Sequence, residues 1–320
     1  MQRVVICGAT GFIGRNLVEY FSAQKGYEVV AVSHNRPEYA QENVTWVNAD
    51  LRNAREVNEL LSGTDIVIQA AATTSGAKDI TTKPFIHVTD NAVMNSHLLR
   101  SAYEQAVKHF VFFSCTVMYP SSDHLVSEED FSGEITDKYF GVGWTKVYIE
   151  KMCEFYAGLG RTKHTVIRHS NIYGPYDKFD LERSHVFGAT ITKAMLADKE
   201  LMIWGTGEEK RDLLHVDDLV NFVSLALSKQ EHSLGLYNCG LGQTLSIKSL
   251  VEKVVQATGK KLDLKHDLSK PTIPFNLGLD CSKAMQELGW KPKVGLDEGI
   301  QSTVKWWKDN IDSETLGLKL

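Results

Sequence analysis

The sequence predicts an α/β fold: a doubly wound parallel sheet with a smaller C-terminal α/β lobe. Three observations carry this. Short β-branched runs alternate with helix-length stretches through the first half of the chain. Gly8, Gly11 and Gly14 follow the first run at G-x-x-G-x-x-G spacing, and after Tyr173 the alternation loosens into a charged loop. Alternating strands and helices of this size imply right-handed βαβ crossovers and a parallel sheet covered on both faces.

Residues 3–7 are an apolar run of buried-strand length, and the helical spacing of apolar residues begins at Ile13 and lasts to Lys25. Strands are expected over 27–33, 44–47, 65–69, 110–114 and 165–168, with helices over 91–105 and 143–159 between them. Gly174-Pro175 opens a loop, a helix follows over 186–197, and another over 215–228 returns to the first domain. Residues 237–274 form a small lobe around a helix over 247–258. The expected division is therefore 1–174 plus 211–238 for the sheet domain, and 175–210 plus 239–320 for the lobe. There is no repeat, low-complexity tract or linker between them.

Composition sets limits. A chain of 320 residues with 43% hydrophobic and 23% charged residues buries a sizeable core. A net charge of -5 argues against a general nucleic-acid binder, which needs a basic surface. Five scattered cysteines, without C-x-x-C or Cys/His spacing, point to reduced thiols and no metal. The opening residues lack a leader pattern and no run is long enough to span a membrane, so a soluble cytoplasmic protein is expected.

The glycine triplet lies between a strand and an amphipathic helix, the context in which it binds a dinucleotide pyrophosphate. The glycines give a tight turn, close backbone approach and helix-to-strand packing, while the helix start near Gly11 offers free N–H groups to phosphate. NAD-binding folds usually end their second strand with an acid for the ribose hydroxyl. Here the stretch is Val32-Ser33-His34-Asn35-Arg36. Ser33, Asn35 and Arg36 could instead hold a 2′-phosphate, which predicts NADP with NAD as the alternative, unless Arg36 is only a solvated loop charge. Asp50-Leu51, after the third strand, is placed for the adenine, or Asp50 is simply a turn cap.

With Ala70-Ala71-Ala72, Asn91, Ser114 to Pro120, Lys146, Arg168 to Pro175, Arg211 to Asp218 and Leu288 to Pro292, the chain resembles the extended short-chain dehydrogenase family. The resemblance is to its nucleotide-sugar epimerase, dehydratase and reductase branch. The stretches Asn171 to Phe179, Ser184-His185-Val186 and Trp204 to Asp218 are most similar to its GDP-fucose synthase group. That resemblance implies a Rossmann domain in which Thr10, Phe12, Ile13, Ala70, Ala71, Ala72, Asn91, Lys146 and His169 line the cofactor. It also implies that Asn171, His185, Val186, Lys193 and Arg211 line a nucleoside-diphosphate sugar, with Arg211 on the diphosphate.

The match fails at the chemistry. The family's catalytic tyrosine falls at Val142, four residues before Lys146, its Ser/Thr position is Cys115, and Val117 stands where the GDP-fucose synthase group has a cysteine. Thr116 and Val117 occupy the sites of the dehydratase Asp-Glu pair, so dehydration is unsupported. A base needs both reach and a tuned pKa, and valine has neither. Cys115, lowered by Lys146 and a nicotinamide charge, Thr116 or a water could take over the proton. Tyr139, seven residues before Lys146, is expected to be too far unless a loop folds it inward. His185 is the candidate acid/base for epimerisation, and His215 more plausibly braces a helix start.

The sequence thus predicts a homodimeric NADP- or NAD-dependent GDP-sugar oxidoreductase or epimerase in surface-polysaccharide biosynthesis. The competing reading is a catalytically silent protein that binds both ligands to sense them or to pair with an active paralogue.

Overall fold

The computed structural model describes residues 1–73, 83–181, 184–270, 272 and 275–312. Seven strands make the central sheet: β1 (Gln2–Cys7), β2 (Tyr27–Ser33), β3 (Val44–Asn48), β4 (Ile66–Gln69), β5 (His109–Phe113), β6 (Lys163–His169) and β7 (Leu234–Cys239). Their order is β7-β6-β5-β4-β1-β2-β3, all parallel. The α/β fold with a parallel sheet is as the sequence predicts.

Successive side chains of a strand point to opposite faces. Val4 and Ile6 join one core with Leu17, Val18 and Phe21 of α1 (Phe12–Ser22) and Leu219, Phe222 and Val223 of the helix Val216–Lys229. Val5 and Cys7 join the opposite core with Val57 and Leu60 of α2 (Ala54–Leu60), and Leu98 and Leu99 of α3 (Thr89–Glu104). That core also takes Ile149 and Cys153 of α4 (Phe140–Gly158). Each large aliphatic side chain so buried contributes about 1.5–3 kcal/mol. Both faces being covered explains why these strands read as continuous apolar runs. The chain passes from β1 to β2 and β3 on one side and then crosses back to β4 on the other side of β1. That reversal opens a crevice at the C-terminal ends of the strands.

Tyr173, Phe187, Ile191, Leu201, Leu250, Val254 and Trp307 form a separate core in the lobe. It is built by α5 (Val186–Leu196), α7 (Ile247–Thr258) and α9 (Leu296–Asn310), counting Val216–Lys229 as α6 and Ser282–Leu288 as α8. The α7 ends are local chemistry. Ser246 Oγ accepts from Ser249 N at 3.1 Å, and Gly259 closes the helix at φ 78°.

Short strand pairs lie outside the central sheet: 171–173 with 213–215, 210–211 with 245–246, 200–204 with 263–267, and 125–126 with 278–279. Two-residue strands carry no period, so the sequence did not announce 125–126, 210–211, 245–246 or 278–279. One boundary matters later: the helix expected over 143–159 begins at Phe140, with Tyr139 as its N-cap residue.

Candidate active site

The glycine loop has the shape of a phosphate cradle. Gly8 sits at φ 73°, and a Cβ there would lie 2.7 Å from the Ala71 backbone. A Cβ on Gly14 would lie 2.1 Å from the Gly8 carbonyl oxygen, so α1 approaches β1 only because this residue has no side chain. Gly11 N-caps α1 without any side-chain cap, leaving the first-turn N–H groups of Phe12 and Ile13 available to an anion. Thr10 is part-buried beside them. These residues fit a dinucleotide.

The rest of that surface is more committed than the sequence suggests. Asn91 is buried, donates to Thr73 O and His87 O (2.9 and 2.8 Å) and accepts from Thr73 N at 2.9 Å. It shapes the loop after Ala70, Ala71 and Ala72 from below. Asp50 is gripped by Arg52, whose hydrogen bonds hold its carboxyl down at about 2, and Leu51 is buried beside it.

At the end of β2, Ser33 is buried and donates to Glu38 Oε1 at 2.9 Å, while Asn48 Nδ2 donates to Ser33 Oγ at 3.2 Å. Asn35 and Arg36 are exposed. Residues 32–36 contain no acid, but Glu38, exposed on the following loop, brings a carboxylate to Ser33 from five residues on.

At the C-terminal end of β5, Lys146 of α4 donates to Phe113 O at 2.7 Å, and its Nζ lies 4.7 Å from the Phe112 ring centroid. Burial holds this ammonium below the ordinary lysine range, opposed by Cys115 and Glu150. The Cys115 thiol contradicts its expectation. Burial pushes it up and outweighs Lys146, so the thiol keeps its proton. Thr116 is part-buried next to it. His169 Nδ1 faces Ser170 O at 2.8 Å, and burial takes the ring down to about 4, so it is neutral.

Beneath the pair lies a buried network that the sequence did not reveal. Arg168 Nη2 meets Glu150 Oε2 at 2.7 Å, and its Nε donates to Oε1 at 3.1 Å. Ser114 also donates to Glu150, while Arg168 Nη1 reaches Tyr119 Oη at 3.0 Å. Glu150 is one helical turn after Lys146, and Ser114 precedes Cys115. The network therefore fixes α4 against the end of β5.

The lobe supplies the opposite wall. Arg211 donates to Lys210 O (3.0 Å) and to Phe275 O, and burial lowers its pKa. Asn171 donates to Asp212 O at 3.1 Å across the 171–173 and 213–215 strands. Asp212 itself accepts from Leu241, Gly242 and Leu279 N. Lys193 on α5 lies 4.6 Å from the Trp204 ring centroid. Trp204 is an exposed platform that the sequence reading passed over.

His185 N-caps α5 without a side-chain cap bond, with Val186 part-buried behind it. The residue is exposed at the surface, yet desolvation by the surrounding protein and the Lys178 charge depress its ring, and its own charge helps to lower His169. His215 is the brace expected of it, accepting from Asp217 N at 3.3 Å. Among the described residues no His/Cys/Asp/Glu group could hold a metal.

Against the effect of burial, Lys146 lowers the Cys115 thiol and Arg211 favours the Tyr139 phenolate. The glycine cradle and Lys146 lie at the C-terminal ends of the parallel strands, where folds of this kind bind their ligands.

Comparison with known proteins agrees. Residues 4–240 match the NAD dependent epimerase/dehydratase family, and the chain belongs to it, an enzyme of the extended short-chain dehydrogenase type. It is 27% identical to GDP-L-fucose synthase of Azorhizobium caulinodans over 96% of either chain. It is 26% identical to GDP-L-colitose synthase of Yersinia pseudotuberculosis, over 98% of this chain and 100% of that one. Among solved structures, UDP-glucuronic acid 4-epimerase from Bacillus cereus, in complex with UDP-glucuronic acid and NAD, superposes with a TM-score of 0.84 at 25% identity. That match covers 96% of this chain and 99% of the other.

Proposed function

We propose that this protein is a GDP-sugar oxidoreductase or epimerase that works on a sugar carbon next to or at a ketone. The observation that carries the reading is the pairing of the glycine cradle with Lys146, which donates to Phe113 O at the end of β5, and with Arg211, which donates to the carbonyl of Phe275 against which Tyr139 packs edge-on. When bound, the dinucleotide supplies or accepts a hydride. Gly8, Gly11 and Gly14 would cradle its pyrophosphate and Lys146 would hold the nicotinamide ribose. Arg211 and Lys193 would take the substrate diphosphate, Trp204 offers a flat face to a nucleobase, and Asn171 sets the strand beneath. His185, neutral and at the cleft, is the acid/base for epimerisation. The two GDP-sugar relatives support guanosine over uridine, and by the same analogy a cytoplasmic place in surface-polysaccharide synthesis.

Calorimetry with GDP-, UDP- and dTDP-sugars tests this. Arg211→Ala should weaken binding of the preferred sugar nucleotide at least about tenfold, the worth of one charge-assisted hydrogen bond, with dinucleotide affinity intact. Unchanged sugar-nucleotide affinity would make Arg211 a structural clamp on Phe275.

Glu38 shifts the cofactor preference from the NADP expected above to NAD. A carboxylate on Ser33 accepts from a ribose hydroxyl and repels a 2′-phosphate. NADH should bind at least about tenfold tighter than NADPH, and Glu38→Gln should close most of that gap. Equal wild-type affinities in a titration would remove the claim.

The expected homodimer has a candidate face. Phe140, Trp144, Tyr148, Phe155 and Leu159 are exposed along one stripe of α4 and its C-cap. Side chains at this spacing line up, and such a stripe on a soluble protein marks an interface. A second copy covering it should be lost in Phe155→Asp, read as a halved mass in sedimentation equilibrium; a wild-type monomer would exclude it.

A further inference from the structure

We propose that Tyr139 is the proton donor of this enzyme, its phenol acting on the sugar oxygen from one turn ahead of Val142. This rests on the functional reading above. Adding a hydride to a ketone carbon leaves an alkoxide that must receive a proton. The groups nearest the floor of the cleft do not supply it. Val142 carries no proton to give, Lys146 Nζ is turned to Phe113 O, and His169 is neutral with its Nδ1 on Ser170 O. Burial holds the Cys115 thiol protonated as well, but S–H is a weak hydrogen-bond donor compared with a phenol.

Tyr139 has the geometry. Because α4 starts at Phe140, residues 139, 142 and 146 fall three and four apart and share one helix face. The reading that placed Tyr139 too far away counted turns back from Lys146. The relevant neighbour is the sugar, and Tyr139 packs on Phe275, whose carbonyl accepts from the Arg211 that would hold the sugar's diphosphate. Tyr139 is part-buried there, with its ring edge-on to Phe275 at 6.2 Å between centroids. Among the described residues its hydroxyl has no hydrogen-bond partner, and it is not sealed from solvent. A hydroxyl with no protein partner, facing a cleft, is available to a ligand.

Burial pushes the phenol up, so it holds its proton at neutral pH, while Arg211 and its charge favour the phenolate that forms on transfer. In the step, the Tyr139 Oη–H bond breaks and an O–H bond forms on the sugar oxygen as the hydride reaches carbon. The phenolate then recovers a proton from water at the cleft mouth. In the oxidative direction the same bonds form and break in reverse.

Tyr139→Phe keeps the ring against Phe275 and removes only the hydroxyl. With NADH, NADPH and GDP-4-keto-6-deoxymannose as probes, its single-turnover rate should fall roughly 10²–10⁴-fold, the span of positioned acid–base groups. Sugar-nucleotide affinity by calorimetry should stay within about tenfold, the ceiling for one neutral hydrogen bond. A second readout needs no dinucleotide: adding the GDP-sugar alone should perturb the near-ultraviolet tyrosine spectrum of the wild type, and the Tyr139→Phe variant should lose that signal. An active wild type whose variant turns over equally fast would overturn the assignment while leaving the functional reading intact. A wild type silent with every sugar nucleotide would sink the functional reading and this assignment with it.

Discussion

Arg168→Met should lower the unfolding free energy by about 3–5 kcal/mol, because it leaves the Glu150 carboxyl buried and without its partner. Glu150 and Arg168 are each less than a tenth exposed and joined at 2.7 Å. A surface ion pair would be worth a fraction of this. The cost should come mostly from the stranded carboxyl, so pairing Arg168→Met with Glu150→Met should recover much of the loss. Urea unfolding of the wild type, both single variants and the double variant closes the cycle. A single variant as stable as the wild type would show that Glu150 takes up a proton or a water at little cost. The pair also bears on activity. It anchors the helix carrying Lys146 to the strand end carrying Cys115, so the single variants should lose turnover before they lose their fold.

Lys146→Met is the second large effect and has the opposite character. Removing one preorganised cationic donor from a water-poor cleft costs about 10²–10³-fold in kcat. Stability should hold or rise, since methionine fills similar volume and no buried charge remains. The pH dependence has a definite sign. Burial places the folded-state pKa below the unfolded one, so the unfolded chain binds more protons between them and stability rises with pH across that alkaline window. The methionine variant should lose that rise. Equal kcat in wild type and variant, with NADH affinity unchanged, would detach Lys146 from the reaction.

Much of the scaffold was readable because both faces of the sheet are covered. Val4 to Cys7 and Phe110 to Phe113 are unbroken apolar runs, and a glycine triplet after the first of them has few other uses. What escaped depends on how the chain folds back on itself. Glu38 reaches the end of β2 only because its loop folds back onto Ser33. The Glu150 and Arg168 pair joins a helix to a strand 18 residues away. Cys115 illustrates a sign that sequence order cannot supply: a neighbouring lysine lowers a thiol and burial raises it, and here burial wins. The start of α4, three residues earlier than the apolar spacing suggested, makes Tyr139 its N-cap residue, about two turns before Lys146 as expected.

The central claim is that the cleft still does redox chemistry without the usual tyrosine. Purified protein should be mixed with NADH or NADPH and a panel of GDP-, UDP- and dTDP-linked keto sugars, and absorbance followed at the reduced-nicotinamide band. We predict that NADH is consumed in stoichiometry with one GDP-linked keto sugar. No change with any pair, from protein that calorimetry shows to bind both ligands, would contradict the account and leave a protein that holds its substrates without converting them.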